Sequence, residues 1–374
     1  MLIHYGWDCS PYSAKTRSYL RFKGIAHEDR HPNVFVLQRT IRKAVGRSVM
    51  PTVLRPDGTW MQDTSEIIDA LEAEHPRPTI VPPSPVQRLA SLLLELHADE
   101  WLPTVIMHTR WNYPASAAFA VEEFAREGLP FAPRFLGKPV VASLGRAMSE
   151  YRPKLGVHGA TTPGIESFAK GLISRLEAHF AAHDYLLGGR PCLGDFALFG
   201  PLWAHVWRDP ATRHWFAAAP HVVEWFDRMQ DPGEPGEWVD GVPETLDAVF
   251  ATMFEEQWVF LRSLVGAIDA WAEEHPDATR VPRALGDHDM TIGGCVGPRR
   301  LITFTQWMLQ RPLDEYLALG GEDRASADRW LARVGGTEAM TLRVTHRMVR
   351  RDFREFLEAP PRTRGGAVGG PAVP

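Results

Sequence analysis

The chain has 374 residues, 44% of them hydrophobic and 23% charged, with a formal net charge of -5. That length supports two packed regions with more chain beyond them. The scattered charges of both signs exclude a nucleic-acid footprint, and no apolar run reaches the roughly 18 residues a membrane span needs.

Cys9, Cys192 and Cys295 lie far apart, with no CxxC and no Cys/His spacing for zinc. They argue for a reducing compartment and a soluble cytoplasmic protein, not for a disulfide framework or a metal site. The basic cluster Arg347 to Arg354 reads as the solvated face of a helix.

In chain order, LIHY is a short apolar strand, GWDCS a tight turn, and PYSAKTRSYLRFKGI a helix. Ser10 suits an N-cap and Pro11 the first helical turn, so the free backbone N–H groups point at whatever Cys9 and Ser10 hold. A helix N-terminus favours negative charge, including that of a thiolate. IAHEDR reads as a second strand, and VFVLQRTIRKAV as a helix ending at Gly46. PTVL and TWMQ, joined by Arg55-Pro56-Asp57-Gly58, predict a hairpin, and Asp63-Thr64-Ser65 opens a helix facing inward with Ile67, Ile68 and Leu71. The order β-α-β-α-β-β-α implies a small mixed sheet covered on both faces.

A proline-rich connector follows at 77–86, and from residue 87 the pattern is helical throughout. Beyond residue 235 lie a long helix or helix pair (TLDAVFATMFEEQWVFLRSLVGAIDAWAEEH), a short extended piece (MTIGGCVGPRR), and two further helical stretches, LITFTQWMLQRPLDEYLALG and EAMTLRVTHRMVRRDFREFLE. The predicted division is 1–76, linker 77–86, 87–234, extension 235–358, and a low-complexity, disordered tail 359–374. No chemistry is read in the extension, whose apolar faces are expected to pack on the bundle or a partner subunit.

CSPYSAKTRSYLRFKGI, VMPTVL and QDTSEIIDALEAEHP, in that order, resemble the thioredoxin-fold domain of the glutathione S-transferases, and DYLLGGRPCLGDFALFGPL and APHVVEWFDRM resemble helices of their C-terminal domain. The resemblance covers about residues 1–230. It implies a thioredoxin-like α/β domain followed by an all-α helical bundle, here with a helical extension. It also implies that Ser10 stabilises the thiolate of glutathione, with Cys9 one residue upstream as the alternative group. Met50 would offer backbone contacts beside a cis Pro51, and Asp63 and Thr64 would hold the γ-glutamyl end. Asp195, three residues after Cys192 at the start of a buried helix, is a structural cap partner.

Under the same resemblance the second substrate would sit near WLPTVIMHTRWNY, with Trp7, Tyr12, Trp101, His108 and Trp111 as lining residues. Glu95, Asp99 and Glu100 read as a solvated helix face, and no metal, nucleotide or flavin is expected. The expected function is conjugation of glutathione, as co-substrate, or a related thiol to a small electrophilic apolar molecule. A homodimer is left open, and neither nucleic acid nor membrane is a partner. Two alternatives stand beside it: a Cys9-dependent thiol-disulfide oxidoreductase or glutathione lyase, and a non-catalytic thiol-binding scaffold using the extension.

Overall fold

The structure, a computed structural model, describes residues 1–358; the expected disordered tail from Ala359 lies outside the described residues. Strand β1 (Leu2–Tyr5) leads through α1 (Pro11–Phe22) to β2 (His27–Arg30), a parallel pair that needs the helix as its crossover. A π-type turn at Val36–Ile41 runs into α2 (Arg42–Val45), which stops at Gly46 in the left-handed region. Strands β3 (Thr52–Leu54) and β4 (Trp60–Gln62) form the predicted hairpin, closed by the Arg55 N–H on the Thr59 carbonyl at 2.8 Å, and α3 (Thr64–Glu74) follows. The sheet order is β2-β1-β3-β4, with β1 and β3 antiparallel. Helices α1 and α3 pack together over it, burying Leu20, Ile67, Ile68 and Leu71.

The register positions the site. Tyr5 pairs with Thr52 and Thr52 with Gln62, so one row crosses three strands at one end of the sheet. Just beyond that row, the turn to α1, the Met50-Pro51 loop and the start of α3 emerge side by side.

Helices α4 (Pro85–Glu100), α5 (Pro103–Trp111), α6 (Pro114–Gly128), α7 (Arg134–Glu150), α8 (Thr162–Phe180), α9 (Leu193–Pro201) and α10 (Pro220–Gln230) make up the helical region. Every residue of α9 is buried, and it packs against both α1 and α4. Asp195 accepts the N–H groups of Cys192 (2.9 Å), Leu186 (3.0 Å) and Trp225 Nε1 (3.1 Å), the structural role expected of it. No helix among the described residues is long and apolar enough to cross a membrane.

The extension holds α11 (Asp247–Thr252), α12 (Trp258–Glu274), β5 (Ala284–Ile292), β6 (Cys295–Ile302), α13 (Phe304–Ala318), α14 (Gly321–Arg333), β7 (Met348–Arg351) and β8 (Arg354–Leu357). The extended piece is therefore a full hairpin, turned at Gly293-Gly294, both with positive φ. The last stretch, read above as a helix, is a short 3-10 turn followed by the β7–β8 hairpin. Asp352 and Phe353 both take positive φ there, which reverses the chain within two residues and is incompatible with helix. The Arg347 to Arg354 cluster is accordingly not a helix face, and the Arg350 side chain is only 2% exposed.

Glu95 and Asp99 are not solvated either; both are buried. Helix α13 packs across α4, and cations from two other helices meet the acids: Lys15 Nζ lies 2.8 Å from Glu95 and 2.6 Å from Asp99, and Arg311 Nε lies 3.1 Å from Glu95. Tertiary partners far away in sequence override the spacing that reads as an exposed face.

Candidate functional site

Ser10 is the N-cap of α1, with extended backbone, and its Oγ accepts the Ser13 N–H at 3.3 Å. As an acceptor in the cap, the hydroxyl keeps its own proton for donation outward. Cys9, its neighbour, is 2% exposed, and burial pushes its thiol up to about 12, with Glu127 adding to the rise. Its carbonyl accepts Arg110 Nη1 at 2.8 Å, so this residue is tied to the helical region through its backbone. Of the two groups, Ser10 is half-buried at the helix start and Cys9 is enclosed as a neutral thiol.

Met50-Pro51 is a cis peptide, as the resemblance implies, and Thr52 follows it directly into the row with Tyr5. Asp63 takes a positive φ of 79° and caps α3, its Oδ1 accepting Ser65 N at 3.0 Å and Glu66 N at 3.4 Å. Burial raises its pKa, against the pull of Arg350 and Lys15. The Thr64 hydroxyl makes no hydrogen bond among the described residues. Ser10, Met50, Pro51, Asp63 and Thr64 thus gather at one end of the sheet, with two helix N-termini facing the same region.

The residues expected to line a second-substrate pocket divide into separate groups. Trp7 and Trp111 both pack on Phe124, at 5.4 and 6.1 Å between ring centres, and the Trp7 indole donates to the Pro32 carbonyl. His108 turns instead to Glu166 (3.3 Å) and Asn112 (2.7 Å), and burial lowers its pKa. Tyr12 donates to the Asp99 carbonyl at 3.1 Å, and Trp101 lies under the Arg299 guanidinium at 4.8 Å. Tyr12, in the first turn of α1, adjoins Ser10 through the helix, and the Trp7 carbonyl accepts the Ser10 N–H at 3.2 Å.

Sequence reasoning assigned no chemistry to the extension, yet it reaches the site. Arg47, three residues before Met50, donates to the Phe353 carbonyl. Arg350 donates to Gln62 at 3.1 Å and to Glu355 at 3.0 Å, while its Nε lies 3.0 Å from Glu66 without its N–H aimed there. The β7–β8 hairpin therefore touches both the Met50 side and the Asp63 side of the motif. The only signal for this was the cluster of arginines, whose partners lie some 290 positions away.

Asp8, His31 and Glu127 bring ligand-type atoms within 4.8 Å of one another. Arg17 lies 3.4 Å and Arg126 3.6 Å from Asp8, so this cluster is an ion-pair network joining the first turn to α6 and is already supplied with positive charge.

Residues 5–79 match the glutathione S-transferase N-terminal domain and residues 164–228 the glutathione S-transferase C-terminal domain. No curated protein matches the chain. Similar solved structures include a glutathione S-transferase of Methylobacterium radiotolerans in complex with glutathione sulfonate, at 18% identity and a TM-score of 0.39, covering 65% of this chain and 98% of that one. The beta-etherase LigF of Sphingobium sp. strain SYK-6 has 20% identity and a TM-score of 0.40, covering 61% and 94%. A glutathione S-transferase of Rhodospirillum rubrum F11 has 14% identity and a TM-score of 0.40, covering 63% and 97%. Two stretches of the chain thus match the two domains of the glutathione S-transferases, and the extension lies outside both.

Proposed function

We propose that this protein binds glutathione and conjugates it through its sulfur to a small electrophile, with Ser10 as the group that stabilises the thiolate. The observation that carries the reading is the row Tyr5, Thr52, Gln62, which brings the Ser10 turn, the cis Met50-Pro51 loop and the Asp63-Thr64 helix start to one end of the sheet. The Ser10 hydroxyl donates to the sulfur, and the N-terminus of α1 favours its negative charge. Met50 offers its backbone to the cysteinyl unit. The Asp63 carboxylate pairs with the α-ammonium, and the Thr64 hydroxyl with the N–H groups of α3 takes the α-carboxylate.

In the transfer, the thiol proton leaves to solvent and a sulfur lone pair forms a C–S bond to the electrophilic carbon. The leaving group departs with the electrons of the bond that breaks. No oxidant or reductant enters. Cys9 is not assigned to the chemistry, because an enclosed thiol held near a pKa of about 12 is a poor nucleophile. The test is turnover of glutathione with a chlorodinitroarene and with aryl ethers, in wild type and Ser10→Ala. Turnover of none of these, in a chain that still binds glutathione, would move the function to thiol binding without transfer.

A further inference from the structure

Arg299, on β6 of the extension, is 4% exposed. Its guanidinium lies between two aromatic rings, 4.8 Å from the centre of Trp101 and 5.1 Å from that of Phe260. One nitrogen, Nη2, donates to the Glu100 carbonyl at the end of α4. Among the described residues the Nε and Nη1 atoms have no acceptor, and neither does the indole Nε1 of Trp101 directly beneath. A buried donor left unmade costs about 1–3 kcal/mol, more when charged, so a cluster of such donors needs an explanation.

Capping α4 explains only Nη2. The Glu100 side chain is engaged by the Thr305 hydroxyl, and burial raises its carboxyl to about 8, which weakens it as a counter-charge for Arg299. The site adjoins the thiol turn: Tyr12, two residues after Ser10, donates to the Asp99 carbonyl while Arg299 donates to the next one along, that of Glu100. Next to the Arg299 stem lies the unbranched side chain of Met290, buried against Gly156.

We propose that Arg299, with the Trp101 indole N–H, is the anchor for a carboxylate on an aromatic acceptor, so that the extension selects aromatic acids as second substrates. The proposal rests on the thiol-transfer reading above. An acidic acceptor accepts hydrogen bonds from donors that have no acceptor among the described residues, and Tyr12 and Trp101 are the aromatic neighbours its ring would meet on the side of the thiol turn.

The experiment is calorimetric titration of the full chain with 4-nitrobenzoate and, separately, with neutral 4-nitrobenzamide. Wild type should bind the carboxylate at least about tenfold more tightly than the amide. Arg299→Gln should erase that difference, and Arg299→Lys should retain part of it. Equal affinities in wild type, or no binding of the carboxylate at millimolar concentration, would overturn the proposal without relying on any variant. So would a preference that survives in a folded Arg299→Gln chain. Glutathione titrated into the same preparation separates the two readings: carboxylate preference without glutathione binding would overturn thiol transfer and leave the anion site standing.

Discussion

Lys15 Nζ lies 2.6 Å from Asp99 Oδ2 with both side chains buried, and the same ammonium lies 2.8 Å from Glu95. The three residues join α1 to α4, and Arg311 brings α13 onto the same Glu95 carboxylate. Burial opposes charge on Glu95, but Arg311 and Lys15 outweigh it and hold that carboxyl down to about 2. Burial, with the charged Glu95 beside it, raises Asp99 to about 7 against the pull of Lys15, so it is the more readily protonated member. Replacing Lys15 by Met strands Asp99 and weakens the junction between the sheet domain and the helices. We expect a loss of about 3–5 kcal/mol in urea unfolding, the usual cost of removing one partner from a buried pair. A loss below about 1 kcal/mol would show the network to be dispensable.

Glu100 sets a pH dependence of the opposite kind to that of a paired carboxylate. Burial raises it from 4.5 to about 8, so across that window the folded chain holds a proton that the unfolded chain has released. Stability therefore falls as pH rises from 4.5 to 8, by up to about 1.4 kcal/mol per pH unit. The isosteric Glu100→Gln cannot ionise and should flatten this slope, becoming more stable than wild type at pH 8. Urea midpoints measured from pH 5 to 8 check it; parallel curves for the two proteins would assign the slope to other groups.

The two neighbours at the first turn should separate cleanly in activity. Ser10→Ala removes the donor to the thiolate and should lower kcat/KM by about 10²-fold, a typical cost for one preorganised donor. It also removes a helix cap worth about 1 kcal/mol, so the assay is run well below the unfolding temperature. Cys9→Ala should stay within about threefold of wild type, since the thiol is enclosed and neutral. The reverse ranking would assign the chemistry to Cys9.

Local signals made the first domain legible. Ser10 and Pro11 mark a helix start, Pro56-Asp57-Gly58 a turn, and Asp63 a cap, each through contacts within a few residues. The far contacts were not legible. Glu95 and Asp99 look solvated because their cations, Lys15 and Arg311, come from positions 80 residues before and 216 after. Arg350 looks like one more basic surface residue because the two-residue reversal at Asp352-Phe353 carries no glycine to announce a hairpin. The grouping of Trp7, Tyr12, Trp101, His108 and Trp111 rested on the resemblance, and their partners Phe124, Glu166 and Arg299 carry no local signal in the sequence.

The thiol site is tested most directly by calorimetric titration of glutathione into the full chain and into Thr64→Val. The Thr64 hydroxyl is the one group there whose side chain is free of other hydrogen bonds among the described residues, so its loss should act on the ligand and little on the fold. We expect wild type to bind in the micromolar-to-millimolar range and Thr64→Val to bind about tenfold more weakly. Absence of heat at millimolar glutathione, or equal affinity in the two proteins, would contradict the site.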